Sequence, residues 1–206
     1  MNSHDNNPDK DNSRQRRVNA DPATILERIK NSNYDHNLVI YPSLAQFEQF
    51  YIECYKDSVL DKNEIFIIVT FYQHMSAVRK KIYLLAGDKV AKYENGDMLV
   101  ILDSQMAYQP SVEQPGRYNI TTILTNLLMK HAQERDKKGI TLLSDLGTFF
   151  FSKRVSDLIS YELSVPSGVH SNIRFFCCYH KDDFNALREE QRKRILRHHV
   201  NNLILA

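Results

Sequence analysis

Glycine is scarce in this sequence, and the absence of glycine before Gly87 excludes a glycine-rich phosphate-binding loop in the N-terminal part of the chain. The 206 residues include six glycines, the first of which is Gly87. A phosphate-binding loop needs glycines, because its backbone N–H groups must approach the phosphates closely and some positions need positive φ. None lies near the turn at residues 41–43, after the first apolar segment, and the next lysine is Lys56. The sequence therefore excludes a P-loop at this turn.

Other absences narrow the class of protein further. The longest apolar runs, such as residues 65–69, fall short of the roughly 20 residues that a membrane helix needs. The N-terminus has no apolar signal core, and three cysteines make no disulfide framework. A formal net charge of +2 provides no basic field for nucleic acid. We therefore expect a cytoplasmic protein that contacts neither membrane nor nucleic acid.

Apolar segments and amphipathic helical patterns alternate from His36 onward. Five segments are near-continuous apolar runs, typical of strands covered on both faces: residues 38–41, 65–71, 98–102, 140–144 and 173–179. Helical patterns lie between them, a charged helix is expected at about 182–200, and residues 89–94 suggest a short edge strand. This alternation predicts an α/β fold with a mostly parallel sheet of about five main strands and helices on both faces.

The chain divides into three parts by composition. Residues 1–20 are almost wholly polar and predict a disordered tail. Asp21-Pro22 supplies an N-cap and a first-turn proline, which predicts a short helix within residues 21–33. Residues 34–206 form the α/β domain.

Two polar residues follow apolar strands and have structural explanations. Ser43 and Gln46 have capping-box spacing, so the helix N-terminus is expected to be closed by its own side chains. Asp103 ends the third strand, where P-loop enzymes place an acid that positions Mg²⁺. Without a loop lysine, we expect Asp103 to cap a turn.

Glu162 falls on the apolar side of a helical pattern. A buried carboxylate is costly unless it is paired or protonated. Arg154, Arg174 or a tyrosine hydroxyl are candidate partners. Both a structural hydrogen bond and a ligand contact remain open.

Cysteine and histidine occur together at residues 177–180 and 198–199. The C-C-x-H spacing differs from that of zinc knuckles, and strand alternation sends Cys177 and Cys178 to opposite sheet faces. We therefore expect neither a metal ligand set nor a cofactor. A reactive pair of Cys178 and His180 remains a separate alternative, although no third member is visible.

Aromatic residues concentrate at strand ends, where ligands of parallel α/β proteins bind. An aromatic-rich crevice suits an apolar or weakly polar small molecule better than a phosphate. Ordinary core packing is the alternative, and residues 148–151 suggest a protein-contact patch. The residues predicted to bind a ligand are Tyr41, Ser43, Phe71, Tyr72, Asp103, Ser104, Asp145, Glu162, Cys178, Tyr179 and His180.

Several segments together resemble the MEDS family, a sensory domain of methanogens, methylotrophs and the dichloromethane regulator. They are HNLVIYPSLAQFEQFY (36–51), GDMLVILDS (96–104), YEL (161–163) and FFCCYHKDDF (175–184). The likeness runs from about Tyr34 to Leu203 and is similar to stand-alone versions in ammonia-oxidising archaea. It implies a three-layer RecA-like fold without the P-loop.

The resemblance also implies a function. It suggests a non-catalytic sensory domain that binds a small molecule or a partner protein and acts in signal transduction. A histidine kinase, a transcription regulator or a second copy of the chain would then carry the output. Two alternatives remain: a degenerate nucleotide-binding protein, and a structural or oligomerisation module.

Overall fold

The computed structural model describes residues 16–30, 35–112, 117–134, 137–165 and 172–205. The strands are β1 (Arg16–Ala20), β2 (His36–Tyr41), β3 (Ile65–Thr70), β4 (Leu99–Asp103), β5 (Ile140–Asp145), β6 (Ile173–His180) and β7 (Asn201–Leu205). The helices are α1 (Pro22–Ile29), α2 (Leu44–Tyr55), α3 (Met75–Ala86), α4 (Lys89–Asn95), α5 (Ser104–Ala107), α6 (Asn119–Glu134), α7 (Gly147–Phe151), α8 (Val155–Ser164), α9 (Lys181–Ala186) and α10 (Glu189–His198). A π-helical segment, Lys56–Asp61, extends α2.

The strands form one sheet in the order β1-β7-β2-β6-β5-β3-β4. Neighbouring strands are parallel throughout this order. Helices cover both faces, so the predicted α/β class is confirmed, and the architecture is compatible with a three-layer RecA-like fold. The five predicted strands correspond to β2 to β6.

The prediction of a disordered tail over residues 1–20 is wrong for residues 16–20. They form β1, which pairs in parallel with β7 at the edge of the sheet. Backbone hydrogen bonds are sufficient to hold an edge strand, so a polar sequence gives little warning of one. Residues 1–15 lie outside the described residues, as do residues 31–33 at the end of the predicted first helix and residue 34 at the start of the predicted domain.

Two further elements differ from their sequence predictions. Residues 89–94 belong to α4 rather than an edge strand, because Gly87, with φ of +58°, reverses the chain and Val90 turns into the core. The single helix expected at 182–200 is divided into α9 and α10, because Leu187 and Arg188 are extended.

The sheet separates two apolar layers. Cys178 and Leu143 face the layer under α2 and α3, and Cys177 and Leu142 face the layer under α6, α8 and α10. The alternation predicted for the two cysteines is therefore confirmed. Among the described helices, none combines the length and apolar character needed to cross a membrane.

Candidate functional site

Asp145 lies at the centre of the carboxyl ends of the strands. Its buried carboxylate accepts backbone N–H groups of Phe71, Tyr72 and Gly147, each at 3.2 Å. Its backbone carbonyl accepts the Ser104 hydroxyl at 3.1 Å. Burial raises the pKa of Asp145 to about 6, while the three N–H groups favour its charged form and limit the rise. The side chain thus fastens the turn after β3 to the end of β5.

Two aromatic residues close this end of the sheet over Gly147. A Cβ atom at Gly147 would lie 2.5 Å from the Phe71 ring and 2.6 Å from the Tyr72 ring. The Tyr72 hydroxyl donates to Asp183 Oδ2 at 2.7 Å, and its ring lies 5.5 Å from that of His180. These contacts join the turn after β3 to the beginnings of α7 and α9 at this end of the sheet.

Tyr41, Cys178 and Tyr179 are buried in this region. Tyr41 stacks on Phe47 with ring centroids 4.6 Å apart. The Cys178 thiol donates to the Phe176 carbonyl at 3.5 Å, and burial raises the pKa of that thiol well above its usual value. These side chains are packed in the core.

The proposed pair of Cys178 and His180 is not formed as a nucleophile and its base. His180 Nδ1 accepts the backbone N–H of Asp182 at 3.3 Å and so caps α9. The Cys178 thiol is directed to a carbonyl oxygen instead. Neither contact activates the thiol.

Ser43 and Asp103 are both helix caps. Ser43 Oγ accepts the backbone N–H of Gln46 at 3.5 Å and contacts the Gln46 side chain, which confirms the predicted capping interaction at α2. Asp103 Oδ1 accepts the N–H groups of Gln105 and Met106 at 2.9 and 3.2 Å, as expected for a capped turn. Asp103 also lines a cavity of about 380 Å³ beside β4.

A larger groove of about 810 Å³ lies between α6 and α8. Its walls are mainly apolar and aromatic and include Tyr118, Ile120, Leu124, Tyr161, Val165 and Phe175. No pattern in the sequence indicates this groove, because its lining comes from α6, α8 and β6 and shares no local motif.

Charged side chains lie at the edge of the groove, among them Arg154 and Asp157. Arg154 donates to Asp157 at 2.8 Å, and its guanidinium lies 5.4 Å from the Phe149 ring and 5.9 Å from the Tyr118 ring. Both charged side chains are partly exposed, at 32% and 45%. They supply polar contacts at the rim while the walls stay apolar.

Glu162 lies on the opposite side of α8 in a buried polar cluster. The Tyr179 hydroxyl donates to Glu162 Oε1 at 2.5 Å, so the predicted tyrosine partner is confirmed. Oε2 lies 3.5 Å from His36 Nε2 and 3.3 Å from His199 Nε2. Cys177 Sγ lies 3.1 Å from His36 Nε2.

The two arginines considered for Glu162 have other partners. Arg174 pairs with Asp57 at 2.7 Å and with Glu64 at 3.0 Å, all three side chains being buried. Arg154 pairs with Asp157. Neither arginine therefore compensates the charge of Glu162.

The electrostatics of the cluster follow from burial and from its imidazoles. Burial alone raises the pKa of Glu162, but the neighbouring His199 and His36 outweigh it and hold that pKa well below its usual value. Burial and the nearby Glu162 raise the pKa of the Cys177 thiol. The sequence pattern gave no sign of this cluster, because residues 36, 162, 177 and 199 are distant along the chain.

Comparison with known proteins assigns no family. No family model matches the sequence, and no curated protein matches it. The resemblance to the MEDS family therefore stays a prediction, and a function has to be inferred from the groove, the strand ends and the buried cluster.

Proposed function

We propose that this protein is a non-catalytic sensory domain of the MEDS type that binds a small molecule in the groove between α6 and α8. The groove itself is the observation that carries the proposal. Its volume of about 810 Å³ falls within the range of about 300–1,000 Å³ that is usual for small-molecule sites.

The lining favours an apolar ligand with one polar end. Leu124 and Ile120 on one wall face Tyr161 and Val165 on the other, and such walls bind by excluding water. Arg154 at the rim supplies guanidinium donors for the polar end. This combination suits a hydrocarbon derivative better than a nucleotide.

The turn after β2 does not favour the nucleotide-binding alternative. At this position a P-loop protein offers glycine N–H groups to a triphosphate. Here Ser43 caps the N–H of Gln46, and the helix begins without a glycine or a lysine. A triphosphate at this turn would lose the backbone cradle that holds it.

Helix α8 provides a route from the groove to a partner. Tyr161 lines the groove, while Glu162, the next residue, enters the buried cluster. His198, at the end of α10, donates to the carbonyl of the groove residue Val165 at 2.7 Å. A ligand that shifts α8 would therefore move α10, and we infer that α10 carries the signal to a separate partner.

An oligomerisation module is the second candidate, and it rests on a surface of α3. Tyr83, Leu84 and Leu85 are exposed there at 49%, 73% and 42%. Consecutive exposed apolar residues are typical of interaction surfaces. On this alternative, α3 binds a second copy of the chain and the groove binds nothing.

A pair of matched substitutions separates the two candidates. The probe is 1-anilinonaphthalene-8-sulfonate, which has apolar rings and one anionic group, and binding is followed by fluorescence. Leu124→Arg places a charge in the groove, and Leu84→Arg places the same charge on α3. We expect Leu124→Arg to weaken binding at least about tenfold, or about 1.4 kcal/mol, and Leu84→Arg to leave it unchanged.

The opposite result would reject the groove. Loss of probe binding in Leu84→Arg, together with a smaller assembly in sedimentation, would support the oligomerisation module. Both variants place arginine on a partly or largely exposed helix position, so circular dichroism should show the same folded state in each.

A further inference from the structure

Four potential metal ligands converge in the buried cluster described above. They are His36 Nε2, Glu162 Oε2, Cys177 Sγ and His199 Nε2, which all lie within 4.8 Å of one another. Each of these residues is exposed by 2% or less. They come from β2, α8, β6 and the residue after α10, so the tertiary fold alone assembles them.

The lone pairs of the cluster face one another. His199 Nδ1 donates to the Ile195 carbonyl at 2.8 Å, which leaves Nε2 as the free nitrogen of the ring. That nitrogen lies 3.3 Å from Glu162 Oε2. Within the described residues, neither atom has a hydrogen-bond partner that meets normal geometry. At this distance the two buried atoms require a positive species between them, which is either a proton on His199 Nε2 or a bound metal ion.

We propose that His36, Glu162, Cys177 and His199 bind a divalent transition-metal ion of the zinc type. Two nitrogens, one carboxylate oxygen and one sulfur form a donor set that suits zinc and does not suit magnesium or calcium. The ion would also balance charge, because a divalent cation neutralises one carboxylate and one thiolate in a buried site.

The spacing of the ligand atoms supports tetrahedral coordination. Ligands about 2.0–2.1 Å from a zinc ion are separated by about 3.3–3.4 Å along the edges of a tetrahedron. The measured separations of Glu162 Oε2 from the two histidine nitrogens are 3.5 and 3.3 Å. The separation of His36 Nε2 from Cys177 Sγ is 3.1 Å and would have to lengthen to about 3.5–3.6 Å, because a Zn–S bond of about 2.3 Å is longer than a Zn–N bond.

Outer contacts already orient two of the ligands. Tyr179 donates to the second oxygen of Glu162, and the Ile195 carbonyl fixes the ring of His199. Such contacts are typical of zinc sites, where they set the tautomer and the direction of the ligand. With four protein ligands and no exposed position, the site belongs to the structural class rather than the catalytic one.

The ion would fasten the C-terminal segment to the sheet. His199 lies between α10 and β7, and Val200 donates its N–H to the His36 carbonyl at 2.9 Å. Coordination would therefore fix the start of β7 beside β2. Removal of the metal is expected to loosen α10 and β7 more than the distant strand β4.

The test uses the full-length protein freed of metal with a chelator. Zn²⁺ is titrated in competition with a chromophoric chelator, and Co²⁺ is then used as a spectroscopic probe. We expect about one equivalent of metal and, for Co²⁺, tetrahedral visible bands together with a thiolate charge-transfer band. Metal binding should also raise the temperature of unfolding.

Two neighbouring cysteines provide a matched control. Cys177→Ala removes a proposed ligand, and Cys178→Ala removes a buried thiol on the opposite face of the sheet. We expect Cys177→Ala to lose the charge-transfer band and to bind Zn²⁺ at least about 100-fold more weakly, with Cys178→Ala unchanged in both. Tyr179→Phe keeps all four ligands and should lower affinity about 10–100-fold.

Specific outcomes would overturn the proposal. They are the absence of stoichiometric binding by the folded wild-type protein, a Co²⁺ spectrum without thiolate absorption, or equal affinity in Cys177→Ala and the wild type. The first outcome would mean that a shared proton alone joins Glu162 to its histidines, and the other two would exclude Cys177 as a ligand. If Cys177→Ala does not fold, the Co²⁺ spectrum of the wild type and the affinity of Tyr179→Phe for Zn²⁺ still test the proposal.

Discussion

Asp145 was predicted to bind a ligand, and in the structure its side chain forms hydrogen bonds within the fold. Its carboxylate accepts three backbone N–H groups and leaves little capacity for a ligand. The apolar run at residues 140–144 correctly predicted that Asp145 lies at the end of a strand. Its hydrogen-bond partners come from the turn after β3 and the start of α7, and no local pattern reveals that they meet.

Asp145 also makes stability depend on pH. Its pKa is raised from 3.8 to about 6 in the folded state, so its contribution to stability is full below pH 3.8 and is lost as the pH rises through about 6. Lowering the pH from 7 to 4 should therefore stabilise the wild type by about 2 kcal/mol relative to Asp145→Asn. Urea unfolding of both proteins at each pH measures this difference. Parallel pH profiles would contradict the assignment.

Arg174 illustrates a buried charge that the sequence offered as one of three candidate partners of Glu162 and that the fold pairs elsewhere. It pairs with Asp57 and Glu64, so Arg174→Met would remove the buried cation that both carboxylates contact, while Asp57 would keep its ion pair with Lys62. We expect a loss of about 3–5 kcal/mol in the free energy of unfolding.

The control for this prediction is Arg79→Met, which removes an ion pair with Glu94 at a partly exposed position. Surface pairs contribute about 0–1 kcal/mol, so the control should change little. If both arginine variants lost the same small amount of unfolding free energy, the ion pairs of Arg174 would not stabilise the protein more than a surface pair does.

At the scale of helices and strands, the sequence predicted most where local rules decide the structure. Continuous apolar runs gave β2 to β6, and the spacing of Ser43 and Gln46 gave the start of α2. The edge strand β1 was missed, because its polar sequence is held by backbone pairing with β7. The inner strand β7 was missed, because only its last three residues, 203–205, are apolar and its pairing partners β1 and β2 are distant along the chain. The division between α9 and α10 likewise depends on the extended backbone of two residues and not on periodicity.

The start of α2 is a point where a prediction can be tested simply. Ser43→Ala removes the side chain that caps Gln46 and should destabilise the protein by about 1 kcal/mol. Ser43→Asp keeps an oxygen at the N-cap and should restore most of that loss. Thermal or urea unfolding measures the loss of stability in each variant. Equal losses would show that Ser43 does not stabilise the protein by capping α2.

At the scale of the whole molecule, the groove and the buried cluster lie on the same side of the sheet. Helix α8 separates them, with Tyr161 facing one and Glu162 facing the other. The sequence indicated Glu162 as a buried polar residue, with a tyrosine hydroxyl as one of three candidate partners. It did not indicate the groove or the two histidines, because those features exist only once α6, α8 and α10 are packed on the sheet.

The most direct test of the proposed function is a chemical-shift map of the ¹⁵N-labelled full chain. 1-Anilinonaphthalene-8-sulfonate and Mg·ATP are titrated separately. We predict that the apolar probe shifts the amides of Leu124, Tyr161 and Val165, and that Mg·ATP leaves the amides of Ser43 and Gln46 unmoved. Saturable Mg·ATP shifts centred on Ser43 and Gln46, with no response in the groove, would contradict the account.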